Sequence, residues 1–110
     1  MLPKVNRLTK KKDFEQVFKK GKSILSNFLI IKLLKNYLKR NRFGFIVSRK
    51  VSNKATIRNK VKRRLRKVVS MQLDKIRNHL DVIIIALPQI KDKKFSEIHE
   101  AINTILRKHK

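Results

Sequence analysis

Between Glu15 and Asp74 the chain runs for 58 residues without one acidic side chain, and that stretch carries 18 Lys and Arg residues. A fold built on it cannot neutralise its middle locally, so ion pairs have to come from the flanking segments and the remaining surface stays cationic. The density peaks from Arg49 to Lys67, with ten basic residues in nineteen. Solvated charged faces normally mix signs to limit self-repulsion. This one does not, and over the whole chain 31 Lys+Arg against 7 Asp+Glu leave a formal charge of +24. Charge of that size on a small body calls for a polyanionic partner.

The chain still has the means to fold. Leu, Ile, Val and Phe make up 39 of 110 residues, well above the ~20% below which a highly charged chain stays disordered. The length is that of one domain. No Ser/Pro/Gly-rich linker and no internal repeat divides the chain, so residues 1–110 read as a single domain with a basic N-terminal arm over residues 1–8. The longest apolar run, Val82 to Leu87, is far short of the ~18 residues of a spanning helix. Met1 to Lys12 lacks the apolar stretch of a signal peptide. Cysteine is absent, which removes disulfides, thiolate nucleophiles and zinc knuckles and suits a reducing compartment. The expectation is a cytoplasmic protein that binds nucleic acid rather than membrane.

Periodicity places the elements. Thr9 is a candidate cap for a helix whose apolar positions Phe14, Val17 and Phe18 follow helical spacing, with Gly21 as its stop. Ser26 to Leu34 and Phe43 to Ser48 are strand-like runs joined by a turn over 36–42, and Lys22 to Leu25 adds a short strand. Their short connections predict antiparallel pairing. From Ile57 the pattern is helical for about six turns, with Ile57, Val61, Leu65, Val68 and Ile76 inside an arc of about 100°. Arg58, Lys62 and Arg66 run along one edge of that stripe, Lys60, Arg64 and Lys67 along the other, and Arg63 points away. Asp81 to Leu87 reads as a buried strand stopped by Pro88, and Phe95, Ile98, Ile102, Ile105 and Leu106 define a closing helix. The order is an α+β sandwich, a sheet covered by helices.

Catalytic chemistry is scarce. His79, His99 and His109 show neither HExxH spacing nor a carboxylate-rich neighbourhood. Glu97 and Glu100 suit the positive end of the closing helix better than a metal site. The two glycines, Gly21 and Gly44, make no phosphate-binding loop. Phosphate binding, by contrast, is abundantly supplied. Base recognition needs stacking platforms, and Phe14 and Phe18, one turn apart beside Lys19, Lys20 and Lys22, are read either as core or as a partly exposed stacking pair.

The stretch from Val47 to Arg66 resembles the signature of the bacterial ribonuclease P protein family. Arg58, Asn59, Lys60, Val61, Lys62, Arg63, Arg64, Leu65 and Arg66 follow the family's Arg-Asn-Arg, apolar, Lys-Arg, two residues, Arg pattern. Lys60 stands in the third place of the triplet and Ser52 where many members have glycine. Further matches are Asn6-Arg7-Leu8, Asp13-Phe14 with Val17-Phe18 and Gly21, the strand beginning at Phe28, and Asp81 to Ala86 before Pro88. The similarity covers nearly the whole chain.

That resemblance implies an αβββαβα two-layer, ribosomal-protein-like sandwich with a four-stranded mixed sheet and a left-handed strand-helix-strand crossover. It implies partnership with one catalytic RNA, which binds divalent metal (magnesium) and removes the 5′ leader of precursor tRNA. The protein itself would bind no cofactor, hold no metal and need no obligate protein partner. RNA binding would fall to Arg49, Lys50, Lys54, Arg58, Asn59, Lys60, Lys62, Arg63, Arg64, Arg66 and Lys67. The leader would lie in a cleft between the first helix and the sheet, lined by Phe14 and Phe18, with Ile31 at a strand position where some members carry an aromatic. The alternative, resting on charge alone, is a small ribosomal or RNA-chaperone-type binding protein. A stand-alone nuclease is disfavoured by the scarcity of acids.

Overall fold

A computed structural model describes residues 2–73, 76 and 79–108. Seven main elements follow in order: α1 (Lys11–Lys20), β1 (Lys22–Leu25), β2 (Leu29–Lys35), β3 (Arg42–Ile46), α2 (Ala55–Ser70), β4 (Leu80–Ala86) and α3 (Phe95–Lys108). Short 3-10 turns occupy Lys4–Asn6 and Pro88–Asp92. The α+β class and the four-stranded mixed sheet are as expected.

The sheet order is β1-β2-β4-β3. β1 and β2 form an antiparallel hairpin, with Lys22 opposite Leu33 and Leu25 opposite Ile30. The turn between them is closed by Ser26, whose Oγ accepts from the Leu29 amide at 3.1 Å, so the strand begins three residues later than its composition suggested. β2 then pairs antiparallel with β4, and β3 pairs with β4 in parallel. Direct pairing of β2 with β3, expected from their short connection, does not occur. The reason lies in β4: Val82, Ile83 and Ile84 are fully buried, and a strand apolar on both faces belongs in the centre of a sheet. β4 therefore inserts between β2 and β3, and the parallel β3–β4 pair requires the crossover that α2 provides.

Alternation divides the core. Leu29, Ile31, Leu33, Val82 and Ile84 turn to one face and pack with Val61, Leu65 and Val68 of α2 and with Ile98, Ile102 and Leu106 of α3. Ile83 turns to the other face, beneath Leu8 and Val17, with Phe14, Leu34, Ile46 and Ile85 packed around them. The α2/α3 layer and the sheet make the expected sandwich, and α1 lies alone across the opposite face.

Local details depart from expectation at three places. Lys10, not Thr9, is the N-cap of α1, and no side chain caps it. The Leu8 amide donates to the Phe43 carbonyl at 2.8 Å, which keeps the incoming chain extended and delays the helix. The N-terminal segment is accordingly no free arm: Leu2 and Leu8 are buried, Arg7 bridges to Phe43, and Asn6 Nδ2 donates to the Asn41 carbonyl at 2.7 Å, covering the β3 edge of the sheet. Lastly, α2 stops at Ser70, short of Ile76. The amides of Met71 and Gln72 turn back onto the carbonyls of Lys67 and Val69, and buried Asn41 takes the Ile76 carbonyl at 3.1 Å and the Leu80 amide at 2.7 Å. Ile76 thus enters the core from a connection rather than from the helix. His109 lies outside the described residues.

Candidate nucleic-acid interface

α2 buries one stripe, Val61, Leu65, Val68 and Val69, and turns the rest of its circumference outward. Asn59, Lys62, Arg63 and Arg66 line a shallow groove with Thr56. Lys60 projects from the exposed side and Arg64 is half-buried at the stripe's other border. Lys67 is turned toward α3, its Nζ 5.7 Å from the Phe95 ring centroid. Among the described residues none of these cations forms an ion pair; the four pairs present are Lys11–Glu15, Arg42–Asp13, Arg42–Asp81 and Lys93–Glu97. Unspent positive charge on a rigid helix is the arrangement that neutralises phosphates.

The loop before α2 extends this surface with Arg49, Lys50 and Lys54, all exposed. Serines shape it: the Lys50 amide donates to Ser48 Oγ at 3.3 Å and the Lys54 amide to Ser52 Oγ at 3.1 Å. Arg58 departs from the simple picture of a phosphate contact. Its Nη1 reaches back to the carbonyls of Ser52 and Asn53, both at 3.0 Å. It pins the loop while other guanidinium donors stay available.

On the opposite face, α1 brings Phe14 and Phe18 onto the sheet. Phe14 brings the far end of its ring against Gly44: a Cβ built there would come 2.5 Å from the ring's Cζ. Phe18 is 44% exposed, and Lys32 Nζ sits 5.5 Å from its ring centroid, a cation–π distance. Ile31 does not join them. Its side chain is fully buried with Leu29 and Leu33 against the α2/α3 layer, because residues of one parity on a strand share one face. The β2 residue that stands beside Phe18 is Lys32, which the sequence reading missed although the parity of its apolar neighbours pointed to it. Ile30, Ile46 and Ile85, all half-buried, stand on the same α1-facing side of the sheet.

α1 is clamped to the sheet by a cluster that sequence reading also missed. Arg42 at the start of β3 donates through Nε and Nη2 to Asp81 of β4, at 2.8 and 2.6 Å, and through Nη1 to Asp13 of α1 at 3.1 Å. Asn36 Nδ2 completes the Asp81 carboxylate at 2.8 Å. The bond with Asp81 raises the Arg42 pKa above its already high value, so the guanidinium stays charged. Two of the seven acids are consumed here, and Glu97 caps α3 through the Lys94 amide at 3.1 Å. Among the described residues no helix is long and apolar enough to cross a membrane.

Comparison with known proteins agrees with this geometry. The family model Ribonuclease P matches residues 2–110. The ribonuclease P protein component of Alkaliphilus metalliredigens is 38% identical over 105 residues, covering 96% of this chain and 94% of the relative. That of Alkaliphilus oremlandii is 40% identical over 104 residues, covering 94% and 90%. Among solved structures, the RNase P protein from Thermotoga maritima superposes with a TM-score of 0.85 at 29% identity, over 94% of this chain and 97% of that one. The Staphylococcus aureus RNase P protein gives 0.85 at 29% identity, over 96% and 95%. With its mixed sheet, its cationic α2 and a match along almost its full length, the chain belongs to the ribonuclease P protein family and is a protein subunit of ribonuclease P.

Proposed function

We propose that this subunit binds the catalytic RNA of ribonuclease P through α2 and the loop before it, and holds the 5′ leader of precursor tRNA in the trough between α1 and the sheet. The observation that carries this reading is the separation of two surfaces by the sheet: unpaired cations on the α2 face, and an exposed aromatic beside a lysine on the α1 face. A body with two such faces engages two RNA segments at once and screens their mutual repulsion. A leader base stacks on Phe18, its phosphate finds Lys32, and Phe14 supports the floor. Hydrolysis is assigned to the RNA, whose bound divalent metal supplies a Lewis acid and an activated water. The protein raises affinity for substrate, and its place of work is the cytoplasm, where precursor tRNA is made.

The test is reconstitution. Purified protein added to the cognate catalytic RNA at low magnesium should restore cleavage of precursor tRNA at the mature 5′ end, and should do so more strongly for substrates with a leader. An unstimulated RNA would overturn the proposal. RNA crosslinked to the protein in cells should be dominated by one catalytic RNA and precursor tRNAs, whereas ribosomal RNA in their place would favour a ribosomal or chaperone role.

A further inference from the structure

The trough does not account for Tyr37. This residue is 97% exposed, so its ring contributes almost nothing to the core, yet the backbone that leads into it is anchored. The preceding Asn36 is held on three sides: its amide donates to the His79 carbonyl at 2.9 Å, its Nδ2 to Asp81 at 2.8 Å, and its Oδ1 accepts from the Leu38 amide at 2.9 Å. Beside Tyr37 opens a recess of about 690 Å³, bounded by Lys10, Lys12, Gln16, Lys20 and Lys35 and floored by the Arg42–Asp81 pair. Its volume falls in the range of small-ligand sites, roughly 300–1,000 Å³.

This recess is separate from the trough. At 100° per residue, the α1 side chains that line it, Lys12, Asp13, Gln16 and Lys20, centre about 165° around the helix from Phe14 and Phe18. Its electrostatics are also simple. The two carboxylates within it, Asp13 and Asp81, are both engaged by Arg42, while Lys10, Lys12, Lys20 and Lys35 have no acid partner among the ion pairs of the described residues. A fully exposed aromatic at the mouth of a lysine-lined recess is the pairing that receives a nucleotide, with its base on the ring and its phosphates on the ammonium groups.

We infer that this recess is a second site for single-stranded RNA, with Tyr37 as its stacking platform, independent of whatever RNA the Phe14–Phe18 trough holds. Recognition there is tolerant of sequence, because every base offers a π-face and the lysines meet only phosphates.

The chain provides its own reporter, since Tyr37 is its one tyrosine and tryptophan is absent. Intrinsic tyrosine fluorescence of the full chain is titrated with a short oligouridylate and, separately, with inorganic polyphosphate, while binding is followed by anisotropy of labelled oligonucleotide. Oligouridylate should quench Tyr37 saturably in the wild type and in Phe18→Ala, and polyphosphate should bind without quenching. Tyr37→Ala should weaken oligonucleotide binding by about fivefold or more, Tyr37→Phe should restore it, and Lys20→Ala with Lys35→Ala should shift the quenching curve to higher RNA concentration. Failure to bind oligonucleotide, binding without quenching, equal quenching by polyphosphate, or loss of quenching in Phe18→Ala would each overturn the inference. The last result would show that Tyr37 merely senses the trough. The reconstitution assay is read separately, so either proposal fails without the other.

Discussion

The Arg42 guanidinium grips the Asp81 carboxylate edge-on, Nε to Oδ1 at 2.8 Å and Nη2 to Oδ2 at 2.6 Å, and its remaining nitrogen reaches Asp13 on α1 at 3.1 Å. One side chain thereby joins β3, β4 and the helix that carries both phenylalanines of the trough. The side chain of Asp81 is only 8% exposed, so removing its partner strands a buried charge. Arg42→Ala should cost about 3–5 kcal/mol, the usual penalty for breaking a buried pair from one side. Arg42→Lys should recover only part of it, because an ammonium cannot meet both carboxylate oxygens and Asp13 in one plane. Denaturant unfolding measures both. Because the Arg42 pKa is raised, the arginine's contribution is fully present below its unfolded pKa and is lost only as pH rises through the folded one. It should be flat across the neutral range.

The two glycines should respond differently to alanine. At Gly21 a Cβ would overlap the Val17 carbonyl oxygen and lie 2.9 Å from that of Leu33. Both obstacles are backbone, so Gly21→Ala should destabilise the fold by about 1–3 kcal/mol, as overpacking does. At Gly44 the obstacle is the far end of the Phe14 ring, which can swing away. Gly44→Ala should spare most of the stability while lifting Phe14 off the sheet. Thermal unfolding should separate the two variants, and affinity for leader-bearing precursor tRNA relative to leaderless substrate should fall more for Gly44→Ala.

Within α2, Arg58 and Arg63 are expected to part company. Arg63 faces the groove with Asn59, Lys62 and Arg66. Its alanine variant should bind the catalytic RNA more weakly and lower the salt slope by about 0.7–0.9, the share of a single neutralised phosphate. Arg58 holds the Ser52 and Asn53 carbonyls. Arg58→Ala should also weaken RNA binding, but with faster hydrogen exchange over residues 48–54, a change that Arg63→Ala should not produce. Equal exchange in the two variants would count against Arg58 as the anchor of the loop.

Which parts of this molecule could be read from its sequence follows from the range of the forces involved. The helical stripe of Val61, Leu65 and Val68, the Gly21 stop and the polarity of α3 are local, and each stands where its spacing placed it. Strand partnership is not local. Nothing between Lys35 and Arg42 says that a strand forty residues on will enter between β2 and β3; the continuous apolar run of Val82 to Ile85 was the one hint. Arg42 with Asp13 and Asp81 escaped notice for the same reason, since its partners lie 29 and 39 residues away. The cationic surface was legible because a charge run without acids needs no tertiary information. The trough was half legible: α1 supplied Phe14 and Phe18 at helical spacing, but a strand position was assigned to the trough by resemblance, and a slip of one residue transfers a side chain to the other face.

That slip gives a direct test of the trough's lining. Ile31 is fully buried among Leu29, Leu33 and Ile84, so Ile31→Ala should leave a cavity and cost about 2–5 kcal/mol. Its effect on leader recognition should be no larger than the fraction unfolded explains. Lys32 is half-buried on the opposite face, with Nζ 5.5 Å from the Phe18 ring and 2.7 Å from Ser23 Oγ. Lys32→Met keeps the aliphatic stem and removes the charge, so stability should change little. Affinity for leader-bearing precursor tRNA should fall several-fold while leaderless substrate is unaffected, and a Phe18→Ala, Lys32→Met double mutant should lose less than the sum of the two single effects, because both act on one nucleotide. Strict additivity, or a leader-specific defect in Ile31→Ala at temperatures where it is folded, would mean that the leader contacts the sheet elsewhere.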